Sequence, residues 1–255
     1  MNILLTNDDG VLAEGINVLR SFLARKEHVT MVAPSYEHSG KGHCITLHSP
    51  LRVVSVRDGG KIIGYSVDGT PADCVKLGIC ELMARKPDIV VSGINPGANV
   101  GTNIVYSGTV SAALEAALMG YPSVAVSFDG YENLPYAYAS ELTLQALRAL
   151  EGMGFPQCVL NINIPAVDPA RIKGIKVTRQ GFMRYTEIFE KRVDPRGREY
   201  YWLDGEIINA KADSESDSYA VGENYVSVTP LFYDFTDRKN MKVARQLVGK
   251  LKRAT

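Results

Sequence analysis

The apolar run Ile3-Leu4-Leu5 stops abruptly at Asn7-Asp8-Asp9-Gly10, and short apolar runs that end in polar, glycine-bearing turns recur along the chain. Runs of this length suit strands buried on both faces, and helically spaced segments lie between them. Residues 2–5 read as extended, 14–25 as helical and 28–33 as extended, which is a βαβ beginning. A polar loop over 34–42 leads into a β-rich stretch, with strands expected at 45–47, 51–56 and 61–67 and a turn at Asp58-Gly59-Gly60. Thr70 as N-cap, Pro71 as first helical residue and Asp73 as the following acid predict a helix over 72–84, which Lys86-Pro87 ends.

The strand predicted at 88–92 repeats the opening pattern, since it runs into Gly93-Ile94-Asn95-Pro96-Gly97-Ala98-Asn99. Further on, a helix is expected over 110–119, a strand over 123–127, a helix over 135–153 and a strand over 159–164. Strands separated by helices imply an α/β fold with a mainly parallel sheet wound on both faces. From about Arg184 the character changes. Residues 187–193 and 199–203 flank Asp194-Pro195-Arg196-Gly197, a turn suited to the tip of a hairpin. Phe189, Tyr200, Tyr201 and Trp202 are more apolar surface than a two-stranded ribbon can bury alone, so this arm is expected to contact another subunit. A last strand at 226–229 and a basic helix over 237–252 complete a division into a core, 1–183, and an extension, 184–255.

The 255 residues carry 28 basic and 28 acidic side chains, so no global positive field draws the chain to a nucleic-acid polymer. A small, locally bound anion is the better expectation. No basic and apolar leader follows Met1 and no apolar run approaches spanning length, from which a cytoplasmic location without membrane partners is expected. Cys44, Cys74, Cys80 and Cys158 lack metal-binding spacing and are read as buried, reduced thiols. His38, His43 and His48 recur at an interval that matches neither helix nor strand, and they read as separate loop and strand residues rather than as a metal site.

The chemistry concentrates at three strand ends: Asn7-Asp8-Asp9-Gly10, Glu37-His38-Ser39-Gly40 and Ser92-Gly93-Ile94-Asn95. In a parallel sheet these share one edge, where ligands of open α/β sheets bind. Adjacent ionised carboxylates repel, so Asp8 and Asp9 call for a proton, a cation or helix N-termini as neighbours. They would serve equally as loop and N-cap residues for a helix starting near Glu14. Two carboxylates, a hydroxyl and an amide oxygen form an all-oxygen set suited to Mg²⁺, Mn²⁺ or Ca²⁺, although Ser39 and Asn95 taken singly read as turn or capping residues. Ser107-Gly108-Thr109 opens a helix whose free amides favour a phosphate, a role compatible with simple capping. Neither a Walker loop nor a dinucleotide fingerprint is present.

Asn-Asp-Asp-Gly, His-Ser-Gly, Ser-Gly-Ile-Asn-Pro-Gly-Ala-Asn-Val-Gly and Tyr-Ser-Gly-Thr-Val-Ser-Ala-Ala-Leu-Glu, in this order, resemble the SurE family, the survival-protein phosphatases also called 5′/3′-nucleotidases. The resemblance extends to the stretches 217–220 and 225–231 and so covers the whole chain. It implies a Rossmann-like α/β/α core with a C-terminal hairpin and helix used in homodimers or homotetramers. It further implies one divalent ion per subunit, Mg²⁺ or Mn²⁺, at Asp8, Asp9, Ser39 and Asn95, and hydrolysis of nucleoside monophosphates and of short polyphosphate. Asp8 or Asp9 would then accept the proton of the attacking water, while Asn7, Gly40, Asn99, Ser107, Gly108 and Thr109 would contact the substrate. Two other readings compete. A nucleoside N-ribohydrolase also clusters aspartates, but it expects an earlier Asp-x-Asp for which residues 1–4 leave no room. A non-catalytic, dimeric nucleotide- or metal-binding module would use the same polar clusters without turnover.

Overall fold

The structure is a computed structural model that describes residues 1–186, 188–205, 207–208 and 213–251. Its elements in chain order are β1 (Asn2–Thr6), α1 (Glu14–Leu23), β2 (His28–Pro34), β3 (Val53–Asp58), β4 (Lys61–Val67), α2 (Pro71–Leu77), β5 (Ile89–Pro96), α3 (Gly108–Leu118), β6 (Ser123–Asp129) and α4 (Tyr136–Gly152). There follow β7 (Val159–Pro165), β8 (Gly174–Val177), β9 (Arg184–Tyr185), β10 (Ile188–Val193), β11 (Glu199–Asp204), β12 (Ile207–Ile208), α5 (Asp217–Gly222), β13 (Tyr225–Leu231) and α6 (Met241–Lys250).

Nine strands form one sheet in the order β3-β4-β2-β1-β5-β6-β7-β13-β8. The strands from β4 to β7 are mutually parallel, β3 pairs antiparallel with β4, and β13 pairs antiparallel with β7. Every residue of β1 is buried, because helices cover both faces of the sheet and alternate side chains enter different layers. Ile3 and Leu5 pack with α1 and α4 through Ile16, Leu19, Leu23 and Leu147. Leu4 faces the other way, into α2 and α3, where it meets Val75, Ala112 and Ala116. The chain thus has the expected three-layer α/β/α core. The order reverses between β1 and β5, so the ends of these two strands flank a switch point, the place where an open sheet leaves a crevice.

The start of α2 follows from its sequence. Asp73 N–H donates to Thr70 Oγ1 (3.2 Å) and Thr70 N–H donates to Asp73 Oδ2 (2.9 Å), a reciprocal cap. The helix is α only to Leu77 and then continues as a π-helical turn over Gly78–Leu82, short of the expected 84. No strand forms at 45–47. Thr46 N–H is taken by the Asp73 carboxylate (3.1 and 3.2 Å) and Cys44 O accepts from the Thr70 hydroxyl (2.8 Å), so this backbone bonds to the helix cap instead of a ladder. β8 and α5 have no counterpart in the sequence reading: β8 is a four-residue edge strand without an apolar run, and α5 is six residues long. α6 begins at Met241 rather than 237, after an exposed segment. Glu187 and Lys252, where the expected arm and helix have an end, lie outside the described residues.

The hairpin is present, with β10 pairing antiparallel to β11 from Ile188↔Asp204 to Val193↔Glu199. All residues of these two strands are exposed, and α6 buries none of its own among the described residues. β13, assigned by sequence to the extension, lies inside the sheet between β7 and β8. Cys74 is buried, whereas Cys80 is exposed, which corrects the expectation of four buried thiols. Cys80 falls on the outer side of the π turn and not beneath it. Among the described residues no helix is long and apolar enough to cross a membrane.

Candidate functional site

Four chain segments meet at the carboxyl ends of β1, β5 and β6 and at the first turn of α3. They enclose a cleft of about 410 Å³ walled by Asp8, Glu37, Ser39, Asn95, Asn99 and Ser107, with Gly40, Asn103, Tyr106 and Tyr131 completing the lining. The cleft therefore gathers Asp8, Ser39, Gly40, Asn95, Asn99 and Ser107 from the residues singled out by sequence. Asn7, Gly108 and Thr109 stand behind that wall. Asp9 lies beside Asp8 with Oδ2 buried and without a hydrogen-bond partner.

Asp8 is the most constrained of these. It is buried, and Thr109 donates its hydroxyl to Asp8 Oδ1 at 2.5 Å. Thr109 was expected to serve a phosphate, but it is fully buried and its hydroxyl is committed to the carboxylate. Gly108 explains how the helix comes so near: a Cβ there would lie 2.6 Å from Asp8 Cβ and 2.8 Å from its Oδ2. Ser107 caps α3 by accepting from Val110 N–H (3.1 Å), which leaves its hydroxyl proton available to a ligand. The cap of α1, by contrast, is Ala13 without a side-chain bond, so Asp8 and Asp9 do not serve that helix.

The loop bearing Ser39 is fastened at both ends. His38 N–H donates to Asp8 O (2.7 Å) and Gly42 N–H donates to Tyr106 O (2.9 Å). A little further on, His43 Nε2 lies 2.7 Å from the Glu115 carboxylate, which Lys76 also contacts at 2.6 Å. Burial alone would raise the Glu115 carboxyl, but bonds from His43 and Lys76 outweigh it and hold the group below its ordinary value. The three clustered histidines thus part company: His38 is buried against Tyr36, His43 pairs with α3, and His48 is exposed.

The β5 side of the cleft is held by amides. Asn95 Nδ2 donates to Gly97 O (2.7 Å), so its carbonyl oxygen is the atom left for a ligand. Asn99 donates from Nδ2 to Ser127 Oγ (2.8 Å), and its backbone is held by Asn161 and Asn163. Asn7 Nδ2 donates to Gly10 O (2.9 Å) and shapes the first turn from within. At the rear, Asp217 of α5 accepts from Gly101 N–H and Gly181 N–H, both at 2.9 Å, and so ties the late part of the chain to the cleft wall.

Sequence reasoning did not single out Glu37, Asn103, Tyr106 or Tyr131. Tyr131 follows β6 at the same sheet edge as the other strand ends, so the rule that located Asp8 and Asn95 extends to it. Glu37 matters electrostatically. Burial, then the charges of Asp8 and Glu37, push the Asp9 carboxyl from 3.8 to about 7. The Asp8 carboxyl is also raised, chiefly by burial and against the Thr109 hydrogen bond. The donor set itself is hard: among the described residues no three His, Cys, Asp or Glu form a metal cluster, and the cleft presents the Asp8 carboxylate, the Ser39 hydroxyl and the Asn95 amide, with Asp9 next to Asp8 in the chain. With an open oxygen on Asp9, this set fits an oxygen-seeking divalent ion.

A mainly parallel sheet with carboxylates at its switch point and a helix N-terminus opposite them defines a three-layer α/β protein with a polar cleft at the carboxyl ends of its strands. The family model described as Survival protein SurE matches residues 3–187, and the chain belongs to the SurE family. It is similar to a protein of Kosmotoga olearia named 5′-nucleotidase SurE, 49% identical over 251 residues, covering 98% of this chain and 99% of that one. A protein of Syntrophobacter fumaroxidans with the same name is 49% identical over 237 residues, covering 92% and 95%. Among solved structures, the SurE protein of Aquifex aeolicus superimposes with a TM-score of 0.83 at 43% identity, covering 97% of this chain and 100% of that one.

The raised Asp9 carboxyl gives a signed expectation for the metal-free protein. Between 3.8 and about 7 the folded protein keeps a proton that the unfolded chain has released, so stability falls as pH rises through that window and levels off above it. Urea unfolding in EDTA from pH 4 to 8 is expected to show Asp9→Asn gaining on wild type across this window, on the order of a few kcal/mol in total. A difference that stays constant with pH would show that Asp9 titrates as an ordinary carboxylate.

Proposed function

We propose that this chain is a divalent-metal-dependent phosphomonoesterase that converts nucleoside 5′- and 3′-monophosphates to nucleoside and phosphate, with short polyphosphate as a further substrate. The observation that carries the reading is the buried Asp8, with half-buried Asp9 beside it, facing the first turn of α3 at one cleft. The names of the relatives from Kosmotoga olearia and Syntrophobacter fumaroxidans support it.

Asp8, Asp9, Ser39 and Asn95 would hold one ion per subunit, Mg²⁺ or Mn²⁺. When bound, such an ion supplies Lewis acidity toward phosphate and water and offsets the paired carboxylates. The protein groups do the remaining work. Ser107 Oγ–H and the positive end of α3 grip the equatorial phosphate oxygens. Asn99 and Gly40 close the cleft around them. Asp8 Oδ1 is occupied by Thr109, whereas Asp9 Oδ2 has no partner, so Asp9 is the acceptor for the proton of the attacking water. Asn7, Gly108 and Thr109 act from behind, setting the turn and the position of Asp8. Preorganised donors of this kind are what phosphoryl transfer chiefly requires.

The extension has a separate role in this reading. The exposed Phe189, Tyr201, Trp202 and Leu203 of the arm and Val243, Leu247 and Val248 of α6 support pairing with further copies of the chain, as a homodimer or homotetramer. Sedimentation equilibrium is expected to give a mass of two or four chains, and a monomer at micromolar concentration would remove this part of the reading.

Phosphate release from adenosine 5′- and 3′-monophosphate is expected with Mg²⁺ or Mn²⁺, to be lost in EDTA, and to fall at least about a hundredfold in Asp9→Asn. Binding of a nucleotide without turnover under any metal would leave the non-catalytic module in its place.

A further inference from the structure

The cleft has two aromatic walls that no step of phosphate chemistry uses. Tyr106 and Tyr131 both line it, and as residues they are 65% and 79% exposed. Neither phenol hydroxyl hydrogen-bonds to the protein among the described residues. The two rings differ in place. Tyr106 directly precedes Ser107, the cap of α3, and its backbone is tied to Gly42, so it belongs to the phosphate end. Tyr131 stands on the loop after β6.

Tyr131 stands across the cleft from the carboxylates. β1, β5 and β6 are consecutive neighbours, with Asp8 after the first, Asn95 near the end of the second and Tyr131 after the third, so two strand spacings, about 10 Å, separate the strands that carry Asp8 and Tyr131. Both residues line one cleft with Ser107, so a phosphate at α3 and a base at Tyr131 can share it. The ring is also held in place. Gly97 N–H donates to Gly130 O (3.0 Å), which joins the two loops, and the ring packs on Gly97 so closely that a Cβ there would meet Tyr131 Oη at 2.8 Å and Cε1 at 3.0 Å. Gly97 lies two residues from Asn95, at most about 7 Å along the chain, so ring and candidate ligand share one short segment.

An exposed aromatic in the wall of the cleft that also holds the start of α3, with no other ring stacked on it among the described residues, is a platform for a flat aromatic partner. We infer that Tyr131 is the base-stacking residue of this site, which receives the nucleobase of a mononucleotide while α3 and the carboxylates receive its phosphate. This rests on the nucleotidase reading. Tyr131 acts on binding of the nucleoside half and takes no part in the phosphoryl step.

The test compares two substrates that share a ribose 5-phosphate and differ only in the base. KM and kcat are measured for adenosine 5′-monophosphate and for ribose 5-phosphate, with wild type, Tyr131→Ala and Tyr131→Phe, under saturating Mn²⁺. If wild type does not turn over ribose 5-phosphate, its inhibition constant against the nucleotide takes the place of KM. Tyr131→Ala is expected to raise KM for the nucleotide about tenfold, leave kcat and the ribose 5-phosphate constant unchanged, and be rescued by Tyr131→Phe, which keeps the ring. An unchanged nucleotide KM in Tyr131→Ala, or an equal rise for both compounds, would overturn the assignment while the nucleotidase reading stands. If wild type hydrolysed neither compound, the nucleotidase reading would fail and this inference with it.

Discussion

The structure turns on one electrostatic constraint: two adjacent carboxylates, Asp8 buried and Asp9 half-buried, sit at the end of β1, with Glu37 adding a third negative charge nearby. Burial raises both Asp8 and Asp9, the charge of Glu37 adds to each and that of Asp8 adds to Asp9, so the polypeptide alone does not keep the pair fully ionised at neutral pH. A proton or a cation has to complete the site. The surroundings supply part of the compensation, since the Thr109 hydroxyl and the positive end of α3 are aimed at Asp8. The unpartnered Asp9 oxygen marks where that compensation stops.

The sheet order explains why the pair lies where it does. β1 is the innermost element of the core, buried on both faces, and the chain turns outward from it in opposite directions on either side. The reversal opens a crevice between the ends of β1 and β5, so groups on two different strands face one space without any loop crossing it. α3 enters from the β5 side and reaches Asp8 because Gly108 has no side chain. The amide network of Asn99, Asn161, Asn163 and Ser127, with Asp217 behind it, keeps the facing loop from collapsing into the gap. Stability and function thus draw on the same contacts.

Much of this was legible in the sequence, for local reasons. Strands such as β1 and β5 are continuous apolar runs with glycine-bearing ends, and the Thr70-Pro71-Asp73 cap is written in adjacent residues. Topology then converts strand ends into neighbours, which is why Asp8, Ser39, Asn95 and Ser107 could be grouped without coordinates. What escaped was set by distant partners. The segment 45–47 has strand-like residues, but its backbone bonds go to a helix cap. β8 is an edge strand that exists because β13 lies beside it. Thr109 looked like a phosphate ligand because only a contact 101 positions away in the chain shows that its hydroxyl already belongs to Asp8. Tyr131 and Glu37 also follow strands, but nothing in their own residue types marks them, and they become significant only once the cleft is assembled.

The most direct test of the central claim is thermal unfolding at pH 7.5 as a function of Mn²⁺ concentration, in wild type and in Asp8→Asn. A cation that completes the carboxylate pair binds the folded state alone, so Tm should climb steadily with metal in wild type and respond far less in the variant. A wild-type Tm that ignores Mn²⁺ from micromolar to millimolar would contradict the account, because the carboxylate pair would then be balanced by the protein itself.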